Sequence, residues 1–568
     1  MNKTCVLCLL ALCFVAAQAA CIKVISKPIV GPDDITFTAA LQQHNLDKLR
    51  DHVLAVSDYT MPEYGKYWTS SQVLDLIAPS MYEQEYVLSE LSNSSMKCQN
   101  YRDAIQCSGS LATVYKYFSM DSTNPDYTIP ASLREHILFI DGLSNKAMPN
   151  SVTPMSNVRV FGDVDPGYVG REVLQRLYNI TSVNNVTVGL GAIEYQGDSG
   201  FSQLDLEFSQ RGNGQKSNTI TPNHILGSNT FPDTETELDL QMQSQTADGA
   251  TLWYDGSSQW LYTWAVNFFN TKDIPYVVSH SWGWAIDQQC TIVQCTNQTS
   301  AQYVNRVNAE YLKLAMRGVS MMVASGDSGA PGRSDSGCSG VNRTVVPVFP
   351  GSSPWVVSVG ATFVVTGKEG NTSFKTPLCQ HGACATGSTE ATVNTANVSW
   401  TAGGGFSEYL TEGRPPWQAS AVQSYLSKKL PMPTHYNPYG RAYPDVAVIG
   451  HNCPIWQGGL MAVDGTSCSS PTFSAIVALL NHHQLSRSPP RPRVGLVAPL
   501  LYAMYSSDKT IFNDITEGNN WCTESECCPT KPGGGSEYGY EATEGYDPVT
   551  GLGTPNVGKM MEWLDRHT

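Results

Sequence analysis

Three short apolar runs in the second half of the 568-residue chain constrain its fold more than any other feature. They occupy residues 274–279, 319–325 and 354–360, are rich in valine, and are bounded by Gly, Ser or Pro. An amphipathic helical pattern over residues 303–317 separates the first two runs. Strands without a polar face are typical of parallel sheets covered on both faces. The pattern therefore predicts an α/β fold with a parallel sheet, whose chemistry lies at the carboxyl ends of the strands.

The chain before about residue 180 has a different texture, with few glycines and no chemical motif that stands out. Residues 37–56 show a helical period of 3.6. Their apolar stripe consists of Leu41, Leu46, Leu49 and Val53. We therefore expect a helix here, within a separate domain that has a folding or blocking role.

The first 19 residues have the layout of a cleaved secretory signal peptide, with Lys3, an apolar stretch from Cys5 to Ala17 and a small-residue end. No later stretch reaches the roughly 20 apolar residues that a membrane-spanning helix needs. We expect a secreted glycoprotein, because seven glycosylation sequons fit that route. They lie at Asn93, Asn179, Asn185, Asn297, Asn342, Asn371 and Asn397.

Cysteine usage fits an oxidising compartment. Three of the 16 cysteines lie in the predicted signal peptide, so 13 remain. Three close pairs predict local disulfides. These pairs are Cys98/Cys107, Cys290/Cys295 and Cys379/Cys384. An odd number predicts one free thiol, with Cys453 and Cys468 as the candidates because neither has an obvious partner, and no spacing fits a zinc site.

Charge limits the partners. The formal net charge of -15 at pH 7 and a sequence pI near 5.2, without a basic cluster, argue against a nucleic-acid partner. Only 15% of the residues are charged, compared with about a quarter in typical globular domains. Fewer like charges then have to be accommodated at extreme pH, which indicates acid tolerance.

The sharpest motif is Gly-Thr-Ser-Cys-Ser-Ser-Pro at residues 465–471, followed by an apolar helical pattern over 473–480. It has the nucleophile pattern of subtilisin-like folds. A serine at the start of a helix lies near the positive end of the helix dipole, and the local N–H groups can bind a developing oxyanion. Ser467 is therefore a candidate nucleophile. The alternative is an N-capping serine in a Ser/Thr-rich turn.

A serine nucleophile needs a base, and the usual base is histidine. Of the eleven histidines, His381 imitates the subtilisin His-Gly-Thr context but lies among the cysteines of an apparent loop. His280 lies at a predicted strand end without an accompanying aspartate motif. Structural roles account better for both. The expected base is then a carboxylate, which needs a raised pKa or an acidic medium.

An acidic helical segment supplies candidate carboxylates. Glu235 and Asp239 are four residues apart, so they share a helix face, and two such charges push each other's proton affinities apart. Asp233 and Glu237 have the same spacing, but the apolar stripe that includes Leu238 favours the first pair. The alternative is an acidic first turn that merely favours the helix dipole.

A third carboxylate follows the apolar run at 319–325. Asp327 stands in Ser-Gly-Asp-Ser-Gly, where a protonated side chain could donate a hydrogen bond to an oxyanion. Ser328 is a rival nucleophile, because Gly-Asp-Ser-Gly resembles the nucleophile loop of trypsin-like peptidases. The Ala-His-Cys segment that those enzymes need is absent from the sequence. A simple Gly-Asp turn is the alternative.

Five motifs in this order resemble those of the sedolisins, the serine-carboxyl peptidases. They are Glu235-x-x-x-Asp239, Ser325-Gly-Asp327-Ser-Gly, Gly403-Gly-Gly-Phe-Ser407, Arg441-Ala-Tyr-Pro-Asp445 and Gly465-Thr-Ser467. The likeness is greatest to the lysosomal tripeptidyl peptidases of that family. Residues 55–58 and 62–67 look like the family's prodomain, so the resemblance covers nearly the whole chain after the signal peptide.

The resemblance implies a subtilisin-like, parallel-sheet catalytic domain with a separate α+β N-terminal prodomain. The implied division is a signal peptide at 1–19, a prodomain at 20–179 and a peptidase domain at 180–568. The family autoactivates in acid, and Arg176-Leu-Tyr-Asn-Ile180 looks like the activation junction.

The resemblance also implies the role of each site residue. Ser467 is the nucleophile, Glu235 the general base and Asp239 its orienting partner, while Asp327 donates to the oxyanion beside the Ser467 N–H group.

One structural Ca²⁺ ion near the carboxyl terminus is implied as well. Its ligands, all oxygens, suit a hard cation. They are the carboxylates of Asp514 and Asp547 and the carbonyls of Ile515, Thr543 and Gly545. Thr543 stands where the family usually has glycine.

The leading hypothesis is therefore a zymogen of an acid-acting serine-carboxyl peptidase that releases tripeptides from free amino termini of peptides. An acid endopeptidase of the same family and a catalytically silent binding glycoprotein are the alternatives. Peptides or unfolded proteins are the expected substrates and the prodomain the expected inhibitor. The expected destination is the lysosome or an acidic extracellular space.

Overall fold

A computed structural model gives the fold. It describes residues 34–121, 126–143, 157–159, 169–181, 186–195, 199–216, 218–293, 295–296, 298–332, 345–365, 379–380, 383–384, 389–394, 398, 400–408, 413–433, 435–521 and 539–568. The signal peptide predicted at 1–19 lies outside these residues. Among the helices described, none is both long and apolar enough to cross a membrane.

The amino-terminal region pairs one antiparallel sheet with helices, as an α+β unit. The sheet has the order β2-β3-β1-β4. Its strands are β1 (Asp34–Leu41), β2 (Lys97–Asn100), β3 (Ala104–Ser110) and β4 (Ile137–Asp141). The helices are α1 (Leu46–Ser57), α2 (Ser70–Ile77), α3 (Met81–Ser92) and α4 (Leu111–Tyr117). The disulfide Cys98–Cys107 joins β2 to β3, as predicted.

The helix predicted over residues 37–56 is wrong in its first part. Residues 34–41 form β1, and the helix begins only at Leu46. Alternating Thr and Phe at the start of this segment favour a strand, and Asn45, with φ 51°, separates strand from helix. Leu49 and Val53 of the predicted stripe are buried on α1.

The predicted parallel sheet is confirmed in the second region. An eight-stranded sheet has the order β16-β13-β11-β9-β6-β8-β7, with β19 also paired to β13. Every pair in it is parallel except β13 with β16. The strands are β6 (Gly189–Glu194), β7 (Ile225–Gly227), β8 (Thr251–Gly256), β9 (Val277–His280), β11 (Ser320–Ala324), β13 (Val357–Val365), β16 (Thr389–Thr392) and β19 (Val446–Ile449). The three predicted apolar runs supply β9, β11 and β13.

Helices cover both faces of this sheet. They are α5 (Arg171–Leu177), α6 (Gln203–Gly212), α7 (Thr234–Thr246), α8 (Leu261–Asn270), α9 (Gln289–Val293), α10 (Ser300–Met316), α11 (Ala419–Leu426), α12 (Thr466–Leu485), α13 (Ala498–Ser507) and α14 (Val557–His567). One face packs against α12 and α7. The other packs against α8 and α10, and the amino-terminal region lies outside these two helices.

Short strands complete the description. They are β5 (Asn157–Arg159), β10 (Trp284–Ala285), β12 (Val348–Phe349), β14 (Cys379–Gln380), β15 (Ala383–Cys384), β17 (Gly405–Phe406), β18 (Ala442–Tyr443), β20 (Cys453–Trp456), β21 (Leu460–Asp464), β22 (Phe512–Asn513) and β23 (Thr554–Pro555). Strand β5 pairs antiparallel with β21, so residues that precede α5 add a strand beside the segment that leads into α12.

Helix α5 packs on the region that contains the parallel sheet. Its Val173 and Leu174, and Tyr178 after it, are buried in the apolar cluster that contains α12. The Tyr178 hydroxyl accepts a hydrogen bond from Ile449 N at 2.7 Å and donates one to Glu390 Oε1 at 2.9 Å. The prodomain boundary predicted at residue 179 stays a prediction, and it assigns to the prodomain a helix that packs on the core of the parallel-sheet region.

A buried ionic network joins the two regions. Lys313 on α10 is 2.6 Å from Asp103, and neither side chain is exposed to solvent. Lys313 also pairs with Glu310, which lies 3.1 Å from Arg306. Gln43 donates to Asp103 at 2.7 Å and to Glu310 at 3.0 Å. Burial raises the pKa of Asp103, but the charges of Lys313 and Arg306 outweigh it and hold that pKa below its usual value.

We expect Lys313→Met to lower the free energy of unfolding at pH 7 by about 3–5 kcal/mol, because the Asp103 carboxylate stays buried without its cation. A folded pKa below the unfolded value gives stability above about pH 4 that is lost as the carboxylate is protonated in stronger acid. The deficit should therefore shrink below about pH 4. Urea unfolding curves measure it. Lys66→Met, at an exposed position of the amino-terminal region, is the control, and equal midpoints for the two variants would contradict the prediction.

Candidate active site

The predicted nucleophile lies at the amino end of a buried helix. Ser467 is the second residue of α12 and is fully buried. Helix α12 is buried over most of its length and packs against β9, β11 and β13, with its apolar residues concentrated between Phe473 and Leu480. The Ser467 hydroxyl lies 3.5 Å from the carbonyl oxygen of Ser281, the residue after β9. Ser467 therefore reaches the carboxyl edge of the sheet, where chemistry is expected in this fold class.

Helix α7 brings the predicted acidic pair to the same edge. Glu235 and Asp239 are both fully buried on it. Asp239 Oδ1 accepts a hydrogen bond from the Ser281 hydroxyl at 2.6 Å, and that hydroxyl lies 3.4 Å from the Ser467 carbonyl oxygen. The Ser281 side chain thus connects Asp239 to the nucleophile segment.

The rival acidic pair serves the backbone. Asp233 is the N-cap of α7, accepting from Thr236 N at 3.0 Å. Glu237 accepts from Ser202 N at 2.6 Å and from the Gln241 side chain at 2.8 Å. The roles of Glu235 and Asp239 stay predictions, but of the two pairs only theirs contains a side chain bonded to Ser281.

Helix α7 is polar in sequence and yet buried over residues 235–246. Its glutamine side chains donate hydrogen bonds to the backbone of neighbouring strands. Gln241 exchanges hydrogen bonds with the backbone of Trp456, Gln243 donates to Gly191 O at 2.9 Å, and Gln245 donates to Pro454 O at 3.1 Å. These bonds fix the helix against β20 and β6 and so position its carboxyl groups.

A fourth carboxyl group, Glu194 at the end of β6, joins the cluster and was missed by sequence reasoning. Its Oε2 accepts from the Trp282 indole at 2.6 Å. Burial raises its pKa well above the usual value, and Asp239, Asp233 and Glu235 raise it further. The sequence feature that could have indicated it is a glutamate at the last position of the apolar strand β6. In this fold class, side chains at the carboxyl ends of the strands lie near the site.

Burial dominates the acidity of Asp239. It raises the pKa of this carboxyl well above its usual value, the Glu235 charge raises it further, and the hydrogen bond from Ser281 opposes both. Coupled groups of this kind share protons, so the pair keeps one in the acid range and titrates as a unit.

Asp327 approaches the nucleophile from the end of β11. Its Oδ1 accepts from the backbone N–H of Thr466 at 2.9 Å and from the Thr466 hydroxyl at 2.7 Å. Thr466 precedes Ser467, so the structure brings this third predicted residue to the same place. A small cleft opens beside it, lined in part by Gly283, Trp284 and Ser328.

His280, the histidine considered as an alternative base, is buried. His280 Nδ1 lies 3.0 Å from the Tyr195 hydroxyl, and burial lowers the pKa of the ring to about 3. The imidazole is therefore uncharged at pH 4 and above, and its partner is Tyr195. His381 lies outside the described residues.

The expectation of a free thiol at Cys453 or Cys468 is wrong, because these two form a disulfide with each other. Cys453 begins β20 and Cys468 directly follows Ser467, so the bond ties the β20–β21 hairpin to the nucleophile helix. Their separation of 15 residues gave no hint of it. The predicted Cys290–Cys295 disulfide is confirmed.

The two halves of the predicted calcium site lie together. Asp547 is fully buried, and its Oδ2 accepts from Thr543 N at 2.8 Å. Asp514 Oδ2 accepts from Gly545 N at 2.7 Å. Burial raises the pKa of Asp547 to about 7. Among the described residues no cluster of three His, Cys, Asp or Glu side chains could hold a metal; the predicted set, which includes the carbonyl of Ile515, has two carboxylates and fits calcium by its oxygens.

Comparison with known proteins covers nearly the whole chain. Residues 25–146 match the family described as "Pro-kumamolisin, activation domain", and residues 239–491 match the subtilase family. Physarolisin of Physarum polycephalum is 37% identical over 557 residues, which are 93% of each chain. Tripeptidyl-peptidase 1 of Homo sapiens is 30% identical over 586 residues, 94% of this chain and 92% of that protein.

A solved structure shares the fold. Pseudomonas sedolisin, a serine-carboxyl proteinase complexed with two molecules of pseudo-iodotyrostatin, is similar with a TM-score of 0.50 at 22% identity. The match covers 72% of this chain and 99% of that one.

We expect the double substitution Cys453→Ser with Cys468→Ser to lower the free energy of unfolding by about 3 kcal/mol, the chain-entropy value for a 15-residue loop. Denaturant unfolding without reductant measures it. Removing Cys290–Cys295, which closes a loop of 5 residues, should cost less, about 2 kcal/mol. A larger loss at Cys290–Cys295 than at Cys453–Cys468 would contradict the prediction.

Proposed function

We propose that this chain, which belongs to the sedolisin family of serine-carboxyl peptidases and is a serine-type peptidase with an activation prodomain, acts in acid and releases tripeptides from free amino termini. One observation carries the acid part of the proposal. The fully buried Asp239, its pKa raised by burial and by Glu235, is bonded through Ser281 to the Ser467 segment.

The proposed reaction starts with attack of the Ser467 hydroxyl on the scissile carbonyl. Glu235 takes the hydroxyl proton and returns it to the leaving amine, so that an acyl-enzyme and a free amino terminus result. Asp239 shares a proton with Glu235 and orients it. Water then attacks the acyl-enzyme by the same route and releases the peptide acid and Ser467.

The oxyanion of each tetrahedral intermediate needs donors. We assign this role to the backbone N–H of Ser467 and the carboxylic acid of Asp327. Because Asp327 Oδ1 accepts two hydrogen bonds from Thr466, the donated proton belongs on Oδ2. Acidic pH favours that protonated form.

The tripeptidyl specificity rests on similarity alone. Tripeptidyl-peptidase 1 bears that activity in its name and aligns over 94% of this chain. An acid endopeptidase of the same family is the alternative.

The pairing of β5 with β21 supports the proposal that the chain is a zymogen. Strand β5 lies between the activation domain and α5, and it occupies the edge of β21 immediately before Ser467. A segment in that place hinders access to the nucleophile until it leaves. We keep cleavage near Asn179 as the proposed activation junction, which sequencing of the processed amino terminus tests.

Two further proposals follow from the chain's chemistry. A Ca²⁺ ion held by Asp514, Asp547 and the carbonyls of Ile515, Thr543 and Gly545 would place a positive charge beside the buried Asp547 and would stabilise this region.

The predicted signal peptide, the sequons and the disulfides support a secretory route that ends in the lysosome or an acidic extracellular space.

The function is tested with a peptide whose amino terminus is free or acetylated, assayed from pH 3 to 8. We expect cleavage of the free form only, release of its first three residues, and activity that is highest in acid and falls as the pH rises and the carboxyl groups of the site lose their protons. Ser467→Ala should lose activity by a factor of about 10⁶ without loss of folding. Cleavage of both peptides would favour the endopeptidase, and activity only above neutrality would contradict the carboxylate mechanism.

Ser281→Ala tests the acidic pair. The Ser281 hydrogen bond lowers the pKa of Asp239, so without it the pair should keep its proton to higher pH. We expect the alkaline limb of the kcat/KM profile to move to higher pH. Ser279→Ala is the matched control, because that hydroxyl contacts Ser470 at 2.8 Å. A profile that moves equally in both variants, or in neither, would contradict the link.

A further inference from the structure

The amino-terminal edge of the large sheet, opposite the catalytic edge, holds a side chain of the activation domain. Gly318 lies two residues before β11, and Gly495 lies in the loop between α12 and α13. The Ser320 hydroxyl at the start of β11 donates to the Gly495 carbonyl, which fixes the two segments together. The phenol ring of Tyr67 lies between them.

Both glycines are needed for this arrangement. A Cβ atom at Gly318 would lie 2.6 Å from the Tyr67 ring, and one at Gly495 would lie 2.3 Å from its hydroxyl oxygen. Both have positive φ, 78° and 58°, which glycine adopts without strain. The space that receives the ring is therefore a property of the peptidase backbone.

Polar contacts fix the orientation of the ring. The Tyr67 hydroxyl donates to the Arg493 carbonyl at 2.8 Å. The Arg493 guanidinium lies 5.7 Å from the Tyr67 ring centroid and 3.6 Å from that of Tyr276. Next to Tyr67, Trp68 N donates to Met316 O at 3.0 Å. Burial raises the pKa of the Tyr67 phenol, so the group stays a hydrogen-bond donor.

We propose that this tyrosine slot, formed by Gly318, Arg493 and Gly495, is a binding site for a tyrosine side chain on a peptide segment, separate from the catalytic cleft. It anchors the activation domain after the chain is cut, and it is open in the peptidase once that domain has left. The first part rests on the proposed zymogen function, whereas the binding site itself does not.

The slot and the nucleophile lie at opposite ends of the same strands. Strand β11 has five residues between the slot side and the Asp327 side, and at about 3.3 Å per residue it separates them by roughly 15 Å. A tyrosine peptide in the slot therefore leaves the catalytic cleft free, whereas the anchored activation domain keeps β5 next to it.

Aromatic residues in closely fitted pockets carry a large share of binding energy, and their truncation commonly costs 2 kcal/mol or more, about 30-fold in affinity. Tyr67 shares these features, with its ring held between Gly318 and Gly495 and its hydroxyl bonded to the Arg493 carbonyl.

The test uses the full chain with Ser467→Ala, so that no self-cleavage occurs and the outcome does not depend on the proposed activity. A recognition site for an unrelated protease is inserted between residues 144 and 156, and the chain is cut there. Size-exclusion chromatography and dissociation kinetics then measure how the activation fragment leaves. We expect a Tyr67→Ala fragment to bind at least about 30-fold more weakly than the unsubstituted one.

Two controls keep the test decisive. Tyr82→Ala removes a tyrosine of the same domain that is 79% exposed, and it should leave the affinity unchanged. Tyr67→Phe keeps the ring but loses the bond to Arg493, and it should weaken binding by about two- to tenfold. This variant also reports on the slot if Tyr67→Ala fails to fold.

A synthetic peptide of residues 60–70 distinguishes a binding site from a merely structural contact. It should displace the cut fragment, and the same peptide with alanine in place of Tyr67 should not. Equal displacement by both peptides, or fragments with and without Tyr67 that stay bound equally well, would overturn the proposal.

Discussion

Burial of several carboxyl groups at one sheet edge is the constraint on which the site depends. Glu194, Glu235 and Asp239 are all fully buried, and the charges that act on Asp239 are those of neighbouring carboxylates. Such a cluster is tolerable only if protons replace the cations that a buried charge otherwise needs. The hydrogen bonds of the α7 glutamines and of the Trp282 indole hold these carboxyl groups in place without neutralising them.

The burial of these carboxyl groups makes the free energy of unfolding depend on pH. A carboxyl group whose pKa is raised on folding gives stability that is present in acid and is lost as the pH rises through the folded value. Burial also raises the pKa of Glu237 to about 8, so several groups favour the folded state in acid. The Lys313 network has the opposite sign, because cations lower the pKa of Asp103. Acid thus favours the carboxyl cluster at the edge of the large sheet, whereas strong acid weakens the Asp103–Lys313 ion pair.

How far the sequence predicts this molecule depends on how local each feature is. The valine-rich runs predict the parallel sheet, and the spacing of Glu235 and Asp239 places both on one helix. Sequence reasoning extended the first helix across β1, because strand and helix stripes overlap in a short segment. It also missed Glu194 and the Cys453–Cys468 bond, since both are set by which strands and loops meet in space.

The Cys453–Cys468 bond has a consequence for where the protein can be made. It closes at the residue after Ser467, so helix α12 gains its covalent attachment to β20 only after thiol oxidation. Synthesis in a reducing cytosol would yield a chain with the right sequence and an unfinished site. Heterologous production of the protein therefore calls for conditions in which the Cys453–Cys468 disulfide can form.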